Sequence, residues 1–479
     1  MKKLLFGILC LCTIVVAGTL SSCNKADEPV GTFTLDQDVC LVRDYGLNAT
    51  VGFTAVNIVE VSVSEVSFPG RWSATADLAS RTVLVVAPTK PTTDEEEYDT
   101  DLEGTITLVA LDANGFSHTA KLYVAIGDSY DFTEDPSNCY IANHANALYA
   151  FDGTRKGERG ETIPTDKVEV LWTSSQYLIQ YLTFEQGVVS FFVSGDEHGK
   201  LIEGNALFAA YDADGDIIWT WHLWVTDYDP SKESVTSGSG AVFMTRNLGA
   251  GASAGTTQEQ ILASYGLYYQ WGRPTPLIGP EYYNCASEAD HVMYSYSGRR
   301  TYLEYLENTP EIGTIEFAIA NPMSFILGAE TSGYDWLYTS GNNELWGPEK
   351  TDYDPCPRGW KVPDQDAFAD FSIADEHTAE MTESLREAYG WNLTDGTISS
   401  FFHAGGRRSA LLGGIQNLND NENPQPWSGF YWTSEASAND RNASALYFDL
   451  DTDDASHSEL NPAAAYPRAN GFNIRCVRE

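Results

Sequence analysis

Three sets of residues in this 479-residue chain have the types that chemistry needs. Asp212, Asp214 and Asp216 start a D-x-D-x-D run like the opening of a calcium loop. A complete loop needs a carboxylate at its twelfth position, where Leu223 stands, so a hairpin turn is expected instead. His222 sits between Trp221 and Leu223. It has no H-x-x-x-H partner and no neighbouring cysteine, which predicts a hydrogen-bonded strand histidine rather than a ligand. Of the 8 cysteines, Cys40, Cys139, Cys285, Cys356 and Cys476 follow the N-terminal region, and none has C-x-x-C spacing. Cys139 and Cys285 are flanked by Asn138, Tyr140, Asn284 and Ala286, with no basic group to lower a thiol pKa. No nucleophile elbow or Ser/His/Asp order is present. The expectation is a chain with no metal, no cofactor and no catalytic set.

The elements that would carry these residues read mainly as strands. Ile106, Leu108 and Ala110 alternate with small or polar positions. Asp112-Ala113-Asn114-Gly115 then turns the chain, and Ala120, Leu122, Val124 and Ile126 alternate on the return, a hairpin pattern. Val59, Val61 and Val63 form another alternating set. Residues 35–127 therefore predict an immunoglobulin-like sandwich. A second all-β unit of the same class is expected over 128–230. Its hairpin runs from Ala206 through the turn Asp212-Ala213-Asp214-Gly215 to Val225. In the return strand Trp219, Trp221 and Leu223 share one face, while Ile218, Thr220, His222 and Trp224 share the other. Bulk on both faces predicts a central strand. Residues 231–240 are Ser- and Gly-rich and read as a linker. Helices appear only beyond it. Thr257 to Gln260 has capping-box spacing. Phe368 and Phe371 fit a short helix after Pro363. Met381, Leu385, Ala388 and Tyr389 fall at helical spacing before Gly390.

The N-terminus carries a different signal. Lys2 and Lys3 precede an apolar run from Leu4 to Gly18, and Leu20-Ser21-Ser22-Cys23 follows. This resembles a bacterial lipobox, which implies removal of residues 1–22 and acylation of Cys23. Residues 23–34 would then be a tether. The expected location is the outer membrane, with a lipid anchor and the folded mass at the cell surface. Removing 1–22 lowers Lys+Arg from 28 to 26 against 68 Asp+Glu, so the net charge moves from −40 to −42. Such a chain repels phosphate backbones and excludes nucleic acid as a partner.

Five ordered motifs cover residues 241–479. They are Val242–Ala250 (VFMTRNLGA), Gly266–Arg273 (GLYYQWGR), Asp354–Pro363 (DPCPRGWKVP), Tyr431–Ser434 (YWTS) and Ile474–Arg478 (IRCVR). Together they resemble the Fibrobacter succinogenes major paralogous domain. That resemblance implies an α+β fold similar to C-type lectins, borne by surface lipoproteins and by adhesin-like or pilus-associated chains. The middle motifs Ser137–Ile141 and Ile218–Asp227 resemble segments of Bacteroidota surface proteins with the same C-terminal domain. From the same resemblance, Cys356 and Cys476 are expected to form a disulfide, since lectin-like folds bring such positions onto neighbouring strands. Ligand contacts are expected in the polar loop Gly413–Trp427, at Asn417, Asn421, Glu422, Asn423 and Trp427. Glu422-Asn423-Pro424 departs from the Glu-Pro-Asn order of calcium-dependent sugar-binding loops, and the companion Trp-Asn-Asp triplet is missing. Trp346 is a second aromatic able to stack on a sugar. The implied function is a surface binding or adhesion protein that contacts a glycan or protein. Alternatives are a pilus subunit assembled by strand exchange, clipped after Arg43, and a carbohydrate-active enzyme.

Overall fold

The computed structural model describes residues 31–67, 71–90, 102–196, 199–283, 290–373, 389–416, 427–438, 440–450 and 458–479. The first unit contains β1 (Thr32–Leu35), β2 (Val39–Val42), β3 (Asn48–Val56), β4 (Ile58–Val66), β5 (Ser73–Asp77), β6 (Thr82–Val86), β7 (Glu103–Asp112) and β8 (Ser117–Ile126). They form two four-stranded sheets, ordered β1-β3-β6-β5 and β2-β8-β7-β4. Val51, Phe53, Trp72, Val83, Val85, Ile106, Leu108, Leu122 and Val124 fill the space between them. Asp112 shapes the β7–β8 turn: its Oδ1 accepts the amides of Asn114 and Phe116, each at 2.9 Å. Gly115 supplies the required positive φ of 85°. The alternation expected at Val59, Val61 and Val63 does not hold. Register shifts at Ile58/Glu60 and Val63/Glu65 insert extra residues, so Val59 is exposed while Ile58, Val61, Val63 and Val66 pack inward.

The second unit contains β9 (Asp128–Phe132), β10 (Cys139–Ala142), β11 (Ala147–Asp152), β12 (Arg155–Lys156), β13 (Glu161–Thr162), β14 (Lys167–Thr173), β15 (Ile179–Glu185), β16 (Val188–Val193), β17 (Gly204–Tyr211) and β18 (Ile217–Val225). One sheet runs β15-β16-β11-β9, and the other contains β10-β18-β17-β14. β18 is central, between β10 and β17, as its two bulky faces predict. Trp219, Trp221 and Leu223 enter the core of the second unit. On the opposite face, Trp224, Leu207 and Trp172 belong to the core of the third.

That third unit contains β19 (Ser234–Thr236), β20 (Val242–Met244), α1 (Gln258–Tyr265), β21 (Tyr269–Gln270), β22 (Met293–Tyr294), β23 (Arg300–Thr301) and α2 (Ile315–Ala320), and towards its end the long strands Trp427–Ala436, Asn442–Leu450 and Glu459–Pro467 form a three-stranded antiparallel sheet. Thr257 caps α1 by accepting the Gln260 amide at 3.3 Å, and Gly266 ends it at a φ of 72°. A 3₁₀ turn, Gln365–Phe368, follows Pro363. Of the helical pattern that ends at Tyr389, Met381, Leu385 and Ala388 lie outside the described residues. The stretch expected as a free linker is packed: Val235 of β19 pairs with Phe243 of β20, and Ser237 is buried. β22 pairs with β14 and lengthens the second unit's sheet. The second and third units thus share a sheet and bury both of its faces. No helix among the described residues is long and apolar enough to cross a membrane.

Candidate functional site

The clearest chemical cluster lies on that shared sheet. β10 runs parallel to β18 with Cys139 opposite His222. The pairing brings Cys139 Sγ within 3.3 Å of His222 Nδ1. His222 Nε2 lies 2.9 Å from Asn205 Oδ1, and Asn205 Nδ2 donates to the Gly249 carbonyl at 2.9 Å. The asparagine therefore presents its oxygen to the ring, which fixes Nε2 as the donor and leaves Nδ1 to accept the thiol proton. The expectation that His222 has no cysteine partner is corrected: the two residues are 83 positions apart and meet only through strand pairing. Thiol, imidazole and amide stand in the order of nucleophile, base and orienter. Their surroundings remove that chemistry. Cys139 and His222 are each 1% exposed. Burial pushes the thiol pKa up and the imidazole down to about 3. Both groups are neutral at neutral pH, and no thiolate forms. The cluster is a satisfied polar tie between two cores.

Asn138, beside it, adds four more bonds. Its Nδ2 donates to the carbonyls of Asp352 (2.7 Å) and Asp354 (2.8 Å) in the third unit. Its Oδ1 accepts the Gly157 amide (3.1 Å) and Trp219 Nε1 (3.0 Å). The motif Ser137–Ile141 is thus a fastening. The C-terminal motifs are consumed in the same way. Arg246 reaches Glu203 (3.3 Å), Thr226 (3.0 Å) and Asp227 (2.8 Å) of the second unit. Gln270 Nε2 donates to Ile326 and Ala469 carbonyls, each at 2.8 Å. Arg475 Nε donates to Asn247 Oδ1 at 2.8 Å. Cys356 and Cys476 form the expected disulfide, with Cα atoms 6.1 Å apart. These residues build the fold, which leaves none of them facing a ligand.

The other expected positions separate clearly. Asp212 Oδ1 accepts the Asp214 and Asp216 amides, each at 3.0 Å, as a turn residue does. Among the described residues no group of three or more His, Cys, Asp or Glu side chains is placed to hold a metal. Trp346 is buried, 5.6 Å from the Trp271 ring, with its Nε1 donating to Tyr353 O at 2.8 Å, so it cannot stack on a sugar. Asn417, Asn421, Glu422 and Asn423 lie outside the described residues, as do Cys23 and Cys285. Trp427 begins the strand Trp427–Ala436, paired with Leu450. Sequence reasoning missed the tip just before Gly413. Arg407–Arg408 and Ile415–Gln416 pair as a hairpin, and Leu411 and Leu412 at its end are 56% and 60% exposed. Arg408 is fully buried beneath it, with Nη1 3.2 Å from the Tyr305 hydroxyl and 3.0 Å from Gly413 O. Two adjacent exposed leucines after Arg-Arg were the signal available.

No family model matches the sequence. No curated protein matches it either. Among solved structures, the human desmocollin-1 ectodomain is similar at 12% identity, over 44% of this chain and 46% of that one, with a TM-score of 0.16. The Bacteroides ovatus protein SGBP-B, solved in complex with a mixed-linkage heptasaccharide, is similar at 12% identity over 42% and 45%, with a TM-score of 0.12. The D00-D0 domain of intimin matches at 12% over 40% and 96%, with a TM-score of 0.15. The chain spans about half the length of the first of these structures. At such TM-scores the likenesses carry no weight for function.

Proposed function

We propose that the chain is a surface lipoprotein, anchored through Cys23, that acts as a binding or adhesion protein through a C-type-lectin-like C-terminal unit. The two N-terminal units are immunoglobulin-like spacers in this reading. The supporting observation is the apolar tip Leu411–Leu412, exposed at the end of a hairpin that is braced from below by buried Arg408. Rigid support under exposed apolar side chains favours recognition, because little ordering entropy is lost on contact. In the sequence the tip lies five residues before Asn417, the first of the positions where ligand contacts are expected. A glycan and host-protein array probed with the full chain tests this. Binding to some feature is expected, weakened about thirtyfold by Leu411→Ser with Leu412→Ser, since each leucine contributes on the order of 1 kcal/mol at a contact. Unchanged binding by the double variant would remove the tip from the site. Release into the soluble fraction on Cys23→Ser is expected for the anchor, and continued membrane retention would refute it.

A second reading, a pilus subunit completed by strand exchange, is favoured by one feature. β1 and β2, both sheet edges and one on each sheet, precede exposed Arg43. A cut after Arg43 would release both and open β3 and β8 to an incoming strand. N-terminal sequencing of the mature surface protein decides between the readings. A start at Asp44 supports the pilus, and a blocked start at Cys23 supports the anchored binder.

A further inference from the structure

The junction between the first and second units holds a cleft that none of the motifs explains. The chain passes from β8 to β9 through Gly127 alone. A Cβ at Gly127 would stand 1.7 Å from the Asn146 carbonyl oxygen, so the two units touch backbone to backbone there. Asn146 takes a left-handed φ of 52°, and its Oδ1 accepts the Gly195 amide at 3.0 Å. Beside this contact lies an open cleft of about 340 Å³, walled by Leu102 and Ile126 of the first unit and by Asp128, Tyr130, His144 and Asn146. Ligand sites favour such junctions and are of about this size, roughly 300 Å³ and upward.

A column of rings rises from the core into the cleft. Phe191 and Tyr149 are fully buried with centroids 5.6 Å apart. Tyr130 stacks on Tyr149 at 5.1 Å, and His144 on Tyr130 at 4.4 Å. The interplanar angles are 15°, 21° and 16°, so the rings are nearly parallel. His144, exposed, is the last ring. Its backbone is clamped by one hydroxyl: the His144 amide donates to Tyr149 Oη at 2.8 Å, and that hydroxyl donates back to the His144 carbonyl at 3.1 Å. The outer face of His144 is therefore a flat platform fixed before any ligand arrives. Asp128 offers an acceptor and the Asn146 side chain a donor along the same wall.

We propose that this cleft is a subsite for one ring of a neutral glycan, stacked on His144. A pyranose presents C–H groups on one face and hydroxyls at its rim. A rigid aromatic face with a carboxylate and an amide at its edge matches that pattern. The chain's net charge of −40 and the carboxylate of Asp128 disfavour uronic or sulfated sugars. The site is independent of the C-terminal reading, because its walls come from the two spacer units.

The test is NMR of the full chain with labelled histidine rings, of which there are 8, the His144 signal being assigned with His144→Ala. Cellohexaose, laminarihexaose and mannohexaose are the neutral probes, and a galacturonate hexamer is the charged one. A saturable shift of the His144 signals with a neutral probe is expected. Affinity should fall about tenfold in His144→Ala and in Asp128→Asn, and stay unchanged in the Leu411→Ser/Leu412→Ser variant. No His144 shift with any neutral hexasaccharide, or a larger response to the galacturonate, would overturn the proposal. A binding loss in the leucine variant, with His144 unmoved, would instead locate the ligand at the C-terminal tip.

Discussion

The two junctions of this molecule use opposite designs. Between the second and third units, β22 continues a sheet, β18 gives one face to each core, and Cys139, His222, Asn205, Asn138 and Arg246 tie the units with buried hydrogen bonds, Arg246 through Nη1 and Nη2 while its Nε stays unpaired. Between the first and second, one glycine links the strands. On one side Tyr123 stacks on Tyr181 at 4.8 Å, and Tyr123 and Ser194 donate to Glu103. The other side stays open as the cleft beside His144. A sheet buried on both faces cannot separate without exposing two cores. A junction held by one patch can keep a wall available for ligand. Motif-rich sequence is therefore concentrated where the chain is fused, and open surface where a single glycine joins the units.

The largest expected effect comes from opening the fused side at Cys356–Cys476. Across a separation of 120 residues the bridge stabilises the fold by about 5 kcal/mol at most. Reduction, or Cys356→Ser with Cys476→Ser, should lower one calorimetric transition, that of residues 128–479, and leave the first unit's transition in place. Asn138→Ala comes next. It strips donors from one buried and one part-buried carbonyl and an acceptor from Gly157 and Trp219, a loss of about 3 kcal/mol in the same transition. If it lowered only the first unit's transition, the assignment of this seam would be wrong. Gly127→Ala should act on the other junction, costing about 1–3 kcal/mol through the clash with Asn146 O of the second unit, while the seam between the second and third units stays intact.

The extent to which these features could be read in advance follows from the range of the interactions. The two hairpins were legible because Asp-Ala-Asn-Gly and Asp-Ala-Asp-Gly encode their turns within four residues. The central place of β18 was legible from bulk on both faces, and the α1 cap from Thr257. The disulfide came from family resemblance, which carries long-range pairing that local pattern lacks. The bulges of β4 were not legible, since the extra residues become visible only against a partner strand. The Cys139–His222 contact depends on a parallel pairing 83 residues apart, and no spacing rule reaches that far. The Ser- and Gly-rich stretch 231–240 has the composition of a linker, yet its backbone groups still find partners in β20. Trp346 has the ring type that stacks on sugars, but it packs on Trp271, 75 residues earlier in the chain, a contact no local pattern reveals.

The smallest effect is a pH dependence of the junction between the first and second units. Burial, the leading cause, holds the Glu103 carboxyl above its ordinary value of 4.5, against the hydrogen bonds from Tyr123 and Ser194. The folded state therefore keeps a proton that the unfolded chain releases. Stability from this group is complete below about pH 4.5 and is lost as pH rises through the folded-state value. The first transition should soften over that range. Glu103→Gln should flatten the trend, and an unchanged slope in that variant would assign it to another group.

Residues 128–479 should unfold as one cooperative body and the first unit as another. Native-state amide hydrogen exchange of the full chain, followed against increasing denaturant, tests it most directly. The slowest amides of β18 and those of Phe243 and Val477 are expected to merge into one opening isotherm, while those of β3, β7 and β8 follow a separate one. Exchange of Phe243 and Val477 at a lower opening free energy than β18, with its own denaturant dependence, would contradict it.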